Sequence, residues 1–474
     1  MNKNKRPSFN QAFLCFSGVM TIIVIGVLTF NVSMHVLLAI SIIWTCCHTY
    51  FLGYKFSEIK QTMSDGITRG LGAAYIFILV GVVIAAYMES GTIAGLVYYS
   101  LDLIHPAVFL PAGLLLCSFM SLAVGTSFGT VGTAGVILIG VGSALGIPLP
   151  IVAGMIISGA SFGDKLSPIS DTTNLAAVAA GTDLYKHIKS MLYTTIPTYI
   201  LCLIIFTIIG LQYSSGTLSN VEIRTFQSAI ESNFIVSIWA FLPIVVLLTL
   251  SVNKIPAEPS MIASIIVALI IAVTQQDRGI LDILNSFQEG YSAKTGHAGL
   301  DILVNRGGIQ SMMQTFSLAL FALALGGLLD TIGYLTVLLE GILKRVKGVL
   351  ALMFATMSTG VLSCLSTGES YIGIIVTSQL FKKKYEEMKL QKHMLSRCVE
   401  ESTTLVAPII PWSTGGAFFF GALGVPVLEY LPWAFLNYLN MFVSLAMAYF
   451  GFGIFRVLNK TGQKETKKIR ASEI

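Results

Sequence analysis

Charged side chains are scarce in this sequence. Asp, Glu, Lys and Arg together make up 11% of the 474 residues, whereas an ordinary soluble domain carries roughly 25%. Hydrophobic residues account for 54%, and the mean hydropathy is +0.79. So few charges cannot cover the surface of a water-soluble domain, and the composition therefore indicates a membrane protein.

Several functional signatures are also missing. The seven cysteines lie in or beside apolar runs, without the spacing of a zinc site or a disulfide framework. The polar segments described below contain no glycine-lysine nucleotide loop and no HExxH, which argues against a membrane enzyme. No cofactor and no nucleic-acid partner are expected. Short segments of alternating hydrophobicity, typical of a membrane β-barrel, are absent as well.

Long apolar runs are what the sequence does contain. Each is close to the roughly 20 residues that cross a hydrocarbon core as a helix, so we predict an all-α, polytopic membrane protein with about 10–13 transmembrane helices. The first run lacks a small-residue cleavage site and is interpreted as a retained helix. The clearest runs span residues 11–30, 34–54, 70–88, 106–123, 190–212, 231–252, 260–274, 348–362 and 431–456.

Two halves of the chain share short matches in the same order, at separations of 240 to 243 residues. GTSF at 125–128 matches GESY at 368–371, LSPI at 166–169 matches VAPI at 406–409, and Thr173-Asn174 match Ser413-Thr414. Their order and spacing predict an internal duplication. The predicted segments are N-terminal transmembrane helices at 1–54, a first repeat at 55–212, a connector with linking transmembrane helices at 213–275, a second repeat at 276–456 and a basic cytoplasmic tail at 457–474.

Loop charges predict that the two repeats are inverted relative to each other. The loop at 55–69 carries three bases and is cytoplasmic by the positive-inside rule, whereas its counterpart at 276–306, with four acids and three bases, is external. The lysine-rich segment 382–393 favours a full crossing at 366–381 over a re-entrant hairpin, and this point stays open. Basic clusters place both termini in the cytoplasm: Lys3, Lys5, Arg6, Lys460, Lys464, Lys467, Lys468 and Arg470.

A polar stretch, GASFGDKLSPISDTTNLAAVAAGTD at 159–183, interrupts the first half. Pro168 breaks a helix, so Asp164 offers a carboxylate and a freed carbonyl at the break. Ionisable groups at membrane depth are costly and usually functional. All-oxygen ligands suit a hard cation such as sodium, and a carboxylate among them can exchange a proton for it. The predicted cation and proton site contains Asp164, Ser167, Ser170, Asp171, Thr172, Thr173 and Asn174, with Asp164, Asp171 and Asn174 as sodium ligands.

The second half carries matching polar segments. Glu369 lies in STGESYIG at 366–373, and the segment EESTTLVAPIIPWSTGGAFFFG at 400–421 contains two prolines and several hydroxyls. Paired interrupted helices in equivalent positions indicate a transporter site near the bilayer midplane. Glu369, Glu401, Ser413 and Thr414 complete the predicted site.

Structural roles compete with these assignments. Asp164 can be neutralised by its neighbour Lys165, and hydroxyls inside a helix bundle often serve only to join helices. Glu400 is left out of the predicted site, because Arg397 lies three residues away and a pair on the helix surface explains it.

At these residues the chain resembles the NhaC family of bacterial sodium/proton antiporters. The stretch at 159–183 is similar to the signature of that family, and ESTTLVAPIIPWSTGGAF is similar to its second motif. The resemblance covers nearly the whole chain and implies inverted repeats, interrupted helices and secondary exchange of sodium for protons without ATP. Some members instead exchange malate for lactate with coupled sodium and protons. Ser413-Thr414 stand where relatives often carry an Asn.

We therefore expect a sodium/proton antiporter of the bacterial cytoplasmic membrane that exchanges cytoplasmic sodium for external protons by alternating access. Sodium, protons and the lipid bilayer are its expected partners, and a homodimer is one assembly left open. The nearest alternative is a sodium- and proton-coupled organic anion exchanger of the malate/lactate type, against which the lack of Arg in the two polar motifs argues. A channel fits less well, because broken helices with carboxylates favour occlusion over a continuous pore.

Overall fold

Helices account for nearly all the regular structure in the described part of the chain. The computed structural model describes residues 6–30, 32–103, 106–213, 220–253, 255–296, 300–301, 304–305, 307–343 and 346–457. The basic tail predicted at 457–474, apart from Val457, and the N-terminal Lys3 and Lys5 lie outside the described residues.

The helices in chain order are α1 (Phe9–Leu28), α2 (Met34–Phe51), α3 (Phe56–Glu89), α4 (Thr92–Leu103), α5 (Pro106–Val124), α6 (Ser127–Ala144), α7 (Leu149–Leu166), α8 (Asp171–Ala180), α9 (Leu184–Gln212), α10 (Asn220–Asn233), α11 (Leu242–Val252), α12 (Ala257–Thr274), α13 (Ile280–Glu289), α14 (Gly308–Thr331), α15 (Tyr334–Leu343), α16 (Val349–Thr367), α17 (Ser370–Glu387), α18 (Lys392–Ser402), α19 (Thr414–Leu423), α20 (Val427–Tyr430) and α21 (Phe435–Tyr449). The turn Val131–Gly135 inside α6 is π-helical.

The long apolar helices confirm a polytopic membrane protein. Within the described residues, eight helices are long and apolar enough to cross a bilayer, and the number rises to twelve if each of four sharply bent helix pairs counts as one crossing. This range agrees with the 10–13 crossings predicted from run lengths.

Helix α9 shows how membrane burial arranges its side chains. Ile200, Ile204 and Ile208, spaced four residues apart, are exposed on its outer face, whereas Thr194 and Thr198 are fully buried on the inner face. Residues four apart share one face of a helix, so an apolar stripe faces outward and the hydroxyls face the bundle interior. This distribution of apolar and polar side chains suits a helix that is surrounded by lipid rather than by water.

Helix bounds repeat along the chain at a constant separation of 243 residues. Val349 follows Pro106 by 243 positions and Thr367 follows Val124 by the same number, so α5 and α16 match at both ends. Helices α8 and α19 also match at both ends, and α7 and α9 begin 243 residues before α18 and α20. The domain boundaries themselves stay a prediction.

The alignment of the two helix breaks proposed from the sequence, at a separation of 240 residues, is wrong by three residues. Ser170 and Ser413 each precede a helix and accept a hydrogen bond from the N–H three residues later, in Thr173 and Gly416. These equivalent caps place Ser170 opposite Ser413, so Asn174 is not the counterpart of Thr414. The segments on both sides of the two breaks keep the separation of 243 residues, so Pro411 is the counterpart of Pro168. The error arose because VAPI at 406–409 resembles LSPI at 166–169 more closely than the true counterpart, IIPW at 409–412, does.

Helices α3 and α14 pack against each other in opposite directions. A Cβ placed on Gly66 would lie 2.8 Å from the Cα of Gly327, and one placed on Gly81 would lie 2.5 Å from the carbonyl oxygen of Gly308. The contact moves backward along α14 as it moves forward along α3, so the helices are antiparallel. Since α14 is the counterpart of the later part of α3, this packing supports an inverted duplication.

Each half also contains a helical hairpin whose tip is a glycine. Gly125 links α5 to α6 with φ of 77°, and Gly368 links α16 to α17 with φ of 66°; both conformations are left-handed and favour glycine. A hydroxyl contact of 3.3 Å between Thr356 and Tyr385 joins the two arms of the second hairpin. The chain turns at Gly368, so the helix expected over 366–381 begins at Ser370 as the second arm of this hairpin, and the choice between a full crossing and a re-entrant hairpin stays open.

Candidate functional site

The first helix break positions Asp164 near the tip of the first hairpin. Helix α7 ends at Leu166 and α8 begins at Asp171. Pro168 has no N–H to continue the helix, and the N–H of Ser167 donates to the carbonyl of Asp164 at 3.2 Å. The hydroxyl of Thr173 donates to the same carbonyl at 3.2 Å. The freed carbonyl predicted at Asp164 is therefore occupied within the break itself.

The Asp164 carboxylate is buried and receives three hydrogen bonds. Asp164 is only 5% exposed to solvent. Ser127 at the hairpin tip donates through its N–H at 3.0 Å and its hydroxyl at 2.7 Å, and Ser170 donates through its hydroxyl at 2.7 Å. Donors to a carboxylate stabilise its ionised form, while the hydroxyl lone pairs stay available to a cation.

The second half presents a similar arrangement with the residue types exchanged. Glu369 lies at the tip of the second hairpin, is 4% exposed, and accepts a hydrogen bond from the Thr414 hydroxyl at 2.8 Å. In the first half the acid lies before the helix break and the hydroxyl lies on the hairpin. In the second half the acid lies on the hairpin and the hydroxyl lies at the break.

Contacts between the two halves place each helix break beside the hairpin of the other half. The Tyr371 hydroxyl on α17 donates to the carboxylate of Asp171 on α8. The ring of Phe128 on α6 lies 4.7 Å from that of Phe418 on α19, centroid to centroid. Asp171 is exposed, unlike Asp164, but it remains within electrostatic range of both Asp164 and Glu369.

Several predicted site residues support the breaks through local hydrogen bonds. Asn174 donates its amide to the carbonyls of Pro168 and Ser170, at 2.9 and 2.7 Å. Ser167 donates to the carbonyl of Leu122 at 2.8 Å, and Ser413 donates to the carbonyl of Ile410 at 3.0 Å. Their role as cation ligands stays a prediction.

The polar atoms around the first break are mainly hydroxyl and carbonyl oxygens, together with one buried carboxylate. Within the described residues, no group of three or more His, Cys, Asp and Glu side chains is arranged to hold a metal ion. A hard monovalent cation needs no such cluster, because hydroxyl and carbonyl oxygens can complete its shell. Hydroxyl, carbonyl and carboxylate oxygens of the kind found at this break are suitable ligands for a hard cation.

The structure also buries charged residues that the sequence did not assign to the site. Arg397 and Glu400 are both 0% exposed, so the helix-surface pair proposed for them is wrong. Lys165, on α7, lies within electrostatic range of Glu400 and Glu401 and is likewise fully buried. Glu401, which the sequence did assign to the site, is also fully buried and accepts a hydrogen bond from the Thr194 hydroxyl on α9.

Sequence reasoning missed Ser127 as well. The repeated pattern GTSF and GESY marked this position as part of the duplication, and that signal points to the tip of a hairpin. It did not show that Ser127 reaches Asp164, 37 residues later.

Known proteins resemble this chain over most of its length. The model of the Na+/H+ antiporter family matches residues 8–173 and 159–452. The Na+/H+ antiporter NhaC of Alkalihalophilus pseudofirmus is 36% identical over 453 residues, which cover 95% of this chain and 97% of that protein. The malate-2H+/Na+-lactate antiporter of Bacillus subtilis is 36% identical over 87% of this chain and 88% of its own. NhaC of the same organism is 34% identical over 95% and 99%.

Proposed function

The chain belongs to the Na+/H+ antiporter family, and on that premise we propose that it exchanges cytoplasmic sodium for external protons by alternating access. It is a multi-pass membrane transporter and not an enzyme. The observation that carries the proposal is Asp164, a buried carboxylate at a helix break that is held by hydroxyls from the break and from a hairpin tip.

Competition for this carboxylate couples the two ions. Sodium binds the ionised form of Asp164, and a proton removes both the negative charge and the ligand. Reorienting an unpaired buried charge across the membrane interior is costly, whereas a site neutralised by sodium or by a proton avoids that cost. Only the loaded site therefore changes orientation, which makes the exchange obligatory. The Ser127 and Ser170 hydroxyls, each 2.7 Å from the Asp164 carboxylate, are the neutral ligands beside it.

The orientation of the chain in the bacterial cytoplasmic membrane follows from its basic turns. The segment 382–393 contains five lysines and connects α17 to α18, so we place it, together with both termini, in the cytoplasm. The beginnings of α9 and α18 then lie on the cytoplasmic side of Asp164.

Sodium-driven proton movement in reconstituted vesicles tests the function. A sodium gradient alone is expected to drive proton flux in the opposite direction, at the same rate with or without malate or lactate, and empty vesicles provide the background. Flux that requires one of these organic solutes would replace the proposal with organic anion exchange.

Organic anion exchange is the second candidate, because two cationic side chains are buried within the bundle. Lys165 and Arg397 are both 0% exposed, and Arg397 lies three residues before the second polar motif. The argument from the absence of Arg in the motifs therefore loses its force. One similar protein exchanges malate and lactate, according to its name, and the vesicle experiment separates the two functions.

Asp171→Asn tests whether the exposed carboxylate contributes to sodium binding. Because solvent screens Asp171, we expect the half-saturating sodium concentration to rise by about fivefold, the equivalent of ~1 kcal/mol, with the maximal rate retained. Sodium titration of vesicle flux measures both quantities. An unchanged half-saturating concentration would remove Asp171 from the site, and complete loss of flux would make it the principal carboxylate.

A further inference from the structure

A second polar cluster lies beside Asp164 and has no role in the exchange described above. We define the inner cluster as Lys165 on α7, His187 on α9, and Arg397, Glu400 and Glu401 on α18. All five residues are 0% exposed. Lys165 follows Asp164 at the end of α7, and Glu400 and Glu401 lie at the end of α18, whereas Arg397 lies one turn earlier in α18 and His187 lies in the first turn of α9, toward the lysine-rich side.

The inner cluster contains an unusual number of unsatisfied polar atoms. Lys165 Nζ, His187 Nε2, Arg397 Nε, Glu400 Oε2 and Glu401 Oε2 are buried without a hydrogen-bond partner. Among the described residues, the ion pairs within 4.0 Å include none between members of this cluster. Buried charges that contact no opposite charge cost several kcal/mol each, so such a cluster favours the gain and loss of protons over a fixed set of charges.

A chain of hydroxyl groups connects the inner cluster to Asp164. The Ser170 hydroxyl lies 2.7 Å from Asp164 Oδ1 and 3.1 Å from the Thr172 hydroxyl. The Thr172 hydroxyl in turn donates to Glu400 Oε1 at 3.5 Å. Ser170 and Thr172 are both buried, so bulk water does not compete along this path.

We propose that Glu400 receives the proton of Asp164 through the Ser170 and Thr172 hydroxyls, and that the inner cluster is the route of this proton to the cytoplasm. Protonated Asp164 gives its proton to Ser170, Ser170 gives one to Thr172, and Thr172 gives one to Glu400. Each hydroxyl gains one proton and loses one, so Asp164 ends as a carboxylate and Glu400 as a carboxylic acid. The proposal rests on sodium/proton exchange as the function.

The charges around Glu400 suit a group that takes up a proton and releases it. Asp164, Lys165 and Asp171 all lie within electrostatic range of Glu400. When Asp164 loses its proton, its new negative charge therefore favours protonation of Glu400. Titratable groups on α18 and on the elements around it include Asp164, Lys165, Asp171, His187, Tyr385, His393, Arg397, Cys398 and Glu401.

Glu400→Gln tests the route, because glutamine keeps the size of the side chain but cannot take up the proton. We expect sodium-driven proton flux to fall by about tenfold or more, as for loss of a positioned proton acceptor. Exchange of radioactive sodium for unlabelled sodium needs no proton and is expected to stay within about twofold, since the Asp164 site remains. Glu387→Gln removes a surface carboxylate at the end of α17 and is the matched control for both measurements.

Thr172→Val removes the connecting hydroxyl and supplies an independent test. We expect proton flux to fall by a larger factor than sodium/sodium exchange, and an equal fall in both would make Thr172 a sodium ligand and overturn the route. Thr198→Val, which removes a buried hydroxyl bonded within α9, is its control. Proton flux at the wild-type rate in either Glu400→Gln or Thr172→Val would overturn the route. If Glu400→Gln does not fold, Thr172→Val alone tests the route. Failure of the wild type to couple sodium to protons would instead contradict the proposed function.

Discussion

Asp164→Asn is expected to abolish sodium-driven proton flux while the protein still folds and inserts. Asparagine cannot lose a proton and carries no charge to bind sodium, so both ions lose their shared ligand. Its amide can still accept from Ser127 through oxygen and donate to the Ser170 hydroxyl through nitrogen, because a hydroxyl serves as donor or acceptor. We therefore expect stability to change by no more than about 1–2 kcal/mol.

Asp183→Asn is the matched control for this substitution. Asp183 precedes α9 and accepts a hydrogen bond from the N–H of Lys186 at 3.1 Å, and asparagine is an equally good residue at this capping position. Flux in Asp183→Asn should equal that of the wild type. The measurement is proton flux in vesicles, together with the thermal midpoint of the purified protein in detergent. Measurable flux in Asp164→Asn would assign ion competition to another carboxylate.

Gly327→Ala is expected to destabilise the packing between the two halves. A Cβ at this position would lie 2.8 Å from the Cα of Gly66 and 2.8 Å from the carbonyl oxygen of Thr62. Both atoms belong to the backbone of α3, so neither can move without shifting a 34-residue helix. Overpacking of this kind costs about 1–3 kcal/mol, and we expect a lower thermal midpoint and a smaller fraction of monodisperse protein.

Gly95→Ala separates this steric effect from the general effect of adding a methyl group to a helix. Gly95 lies in α4, and its added Cβ would contact only the Ala240 Cβ at 3.5 Å, an ordinary van der Waals distance. Alanine is a better helix former than glycine by about 0.5–1 kcal/mol, so this variant should be equally or more stable. Equal midpoints for the two variants would show that α3 and α14 are not held by this close contact.

Features that depend on a short stretch of chain were accessible from the sequence. Apolar runs of sufficient length predicted the membrane helices, and Pro168 with its hydroxyl neighbours predicted the break between α7 and α8. The glycine at 125 and its counterpart at 368 marked the duplication, and both form hairpin tips. Each of these signals comes from residues within one or two helical turns.

Features that depend on contacts between residues far apart in the sequence were missed or misplaced. Glu400 and Arg397 looked like a surface pair because they are close in sequence, but α8, α9, α16 and α17 pack around the helix that carries them. The alignment of the two breaks was wrong by three residues, because the similarity of VAPI to LSPI does not show which serine caps a helix.

By itself the sequence determined the class of protein, the crossings, the position of the first break and the acids available to bind a cation. Only the tertiary structure decided which acid is buried, which hydroxyls reach it and how charged residues gather beside it. Hydrophobic length and helix breaking are local properties of the chain. The partner of a buried polar group is fixed by packing between segments far apart, as with Ser127 and Asp164.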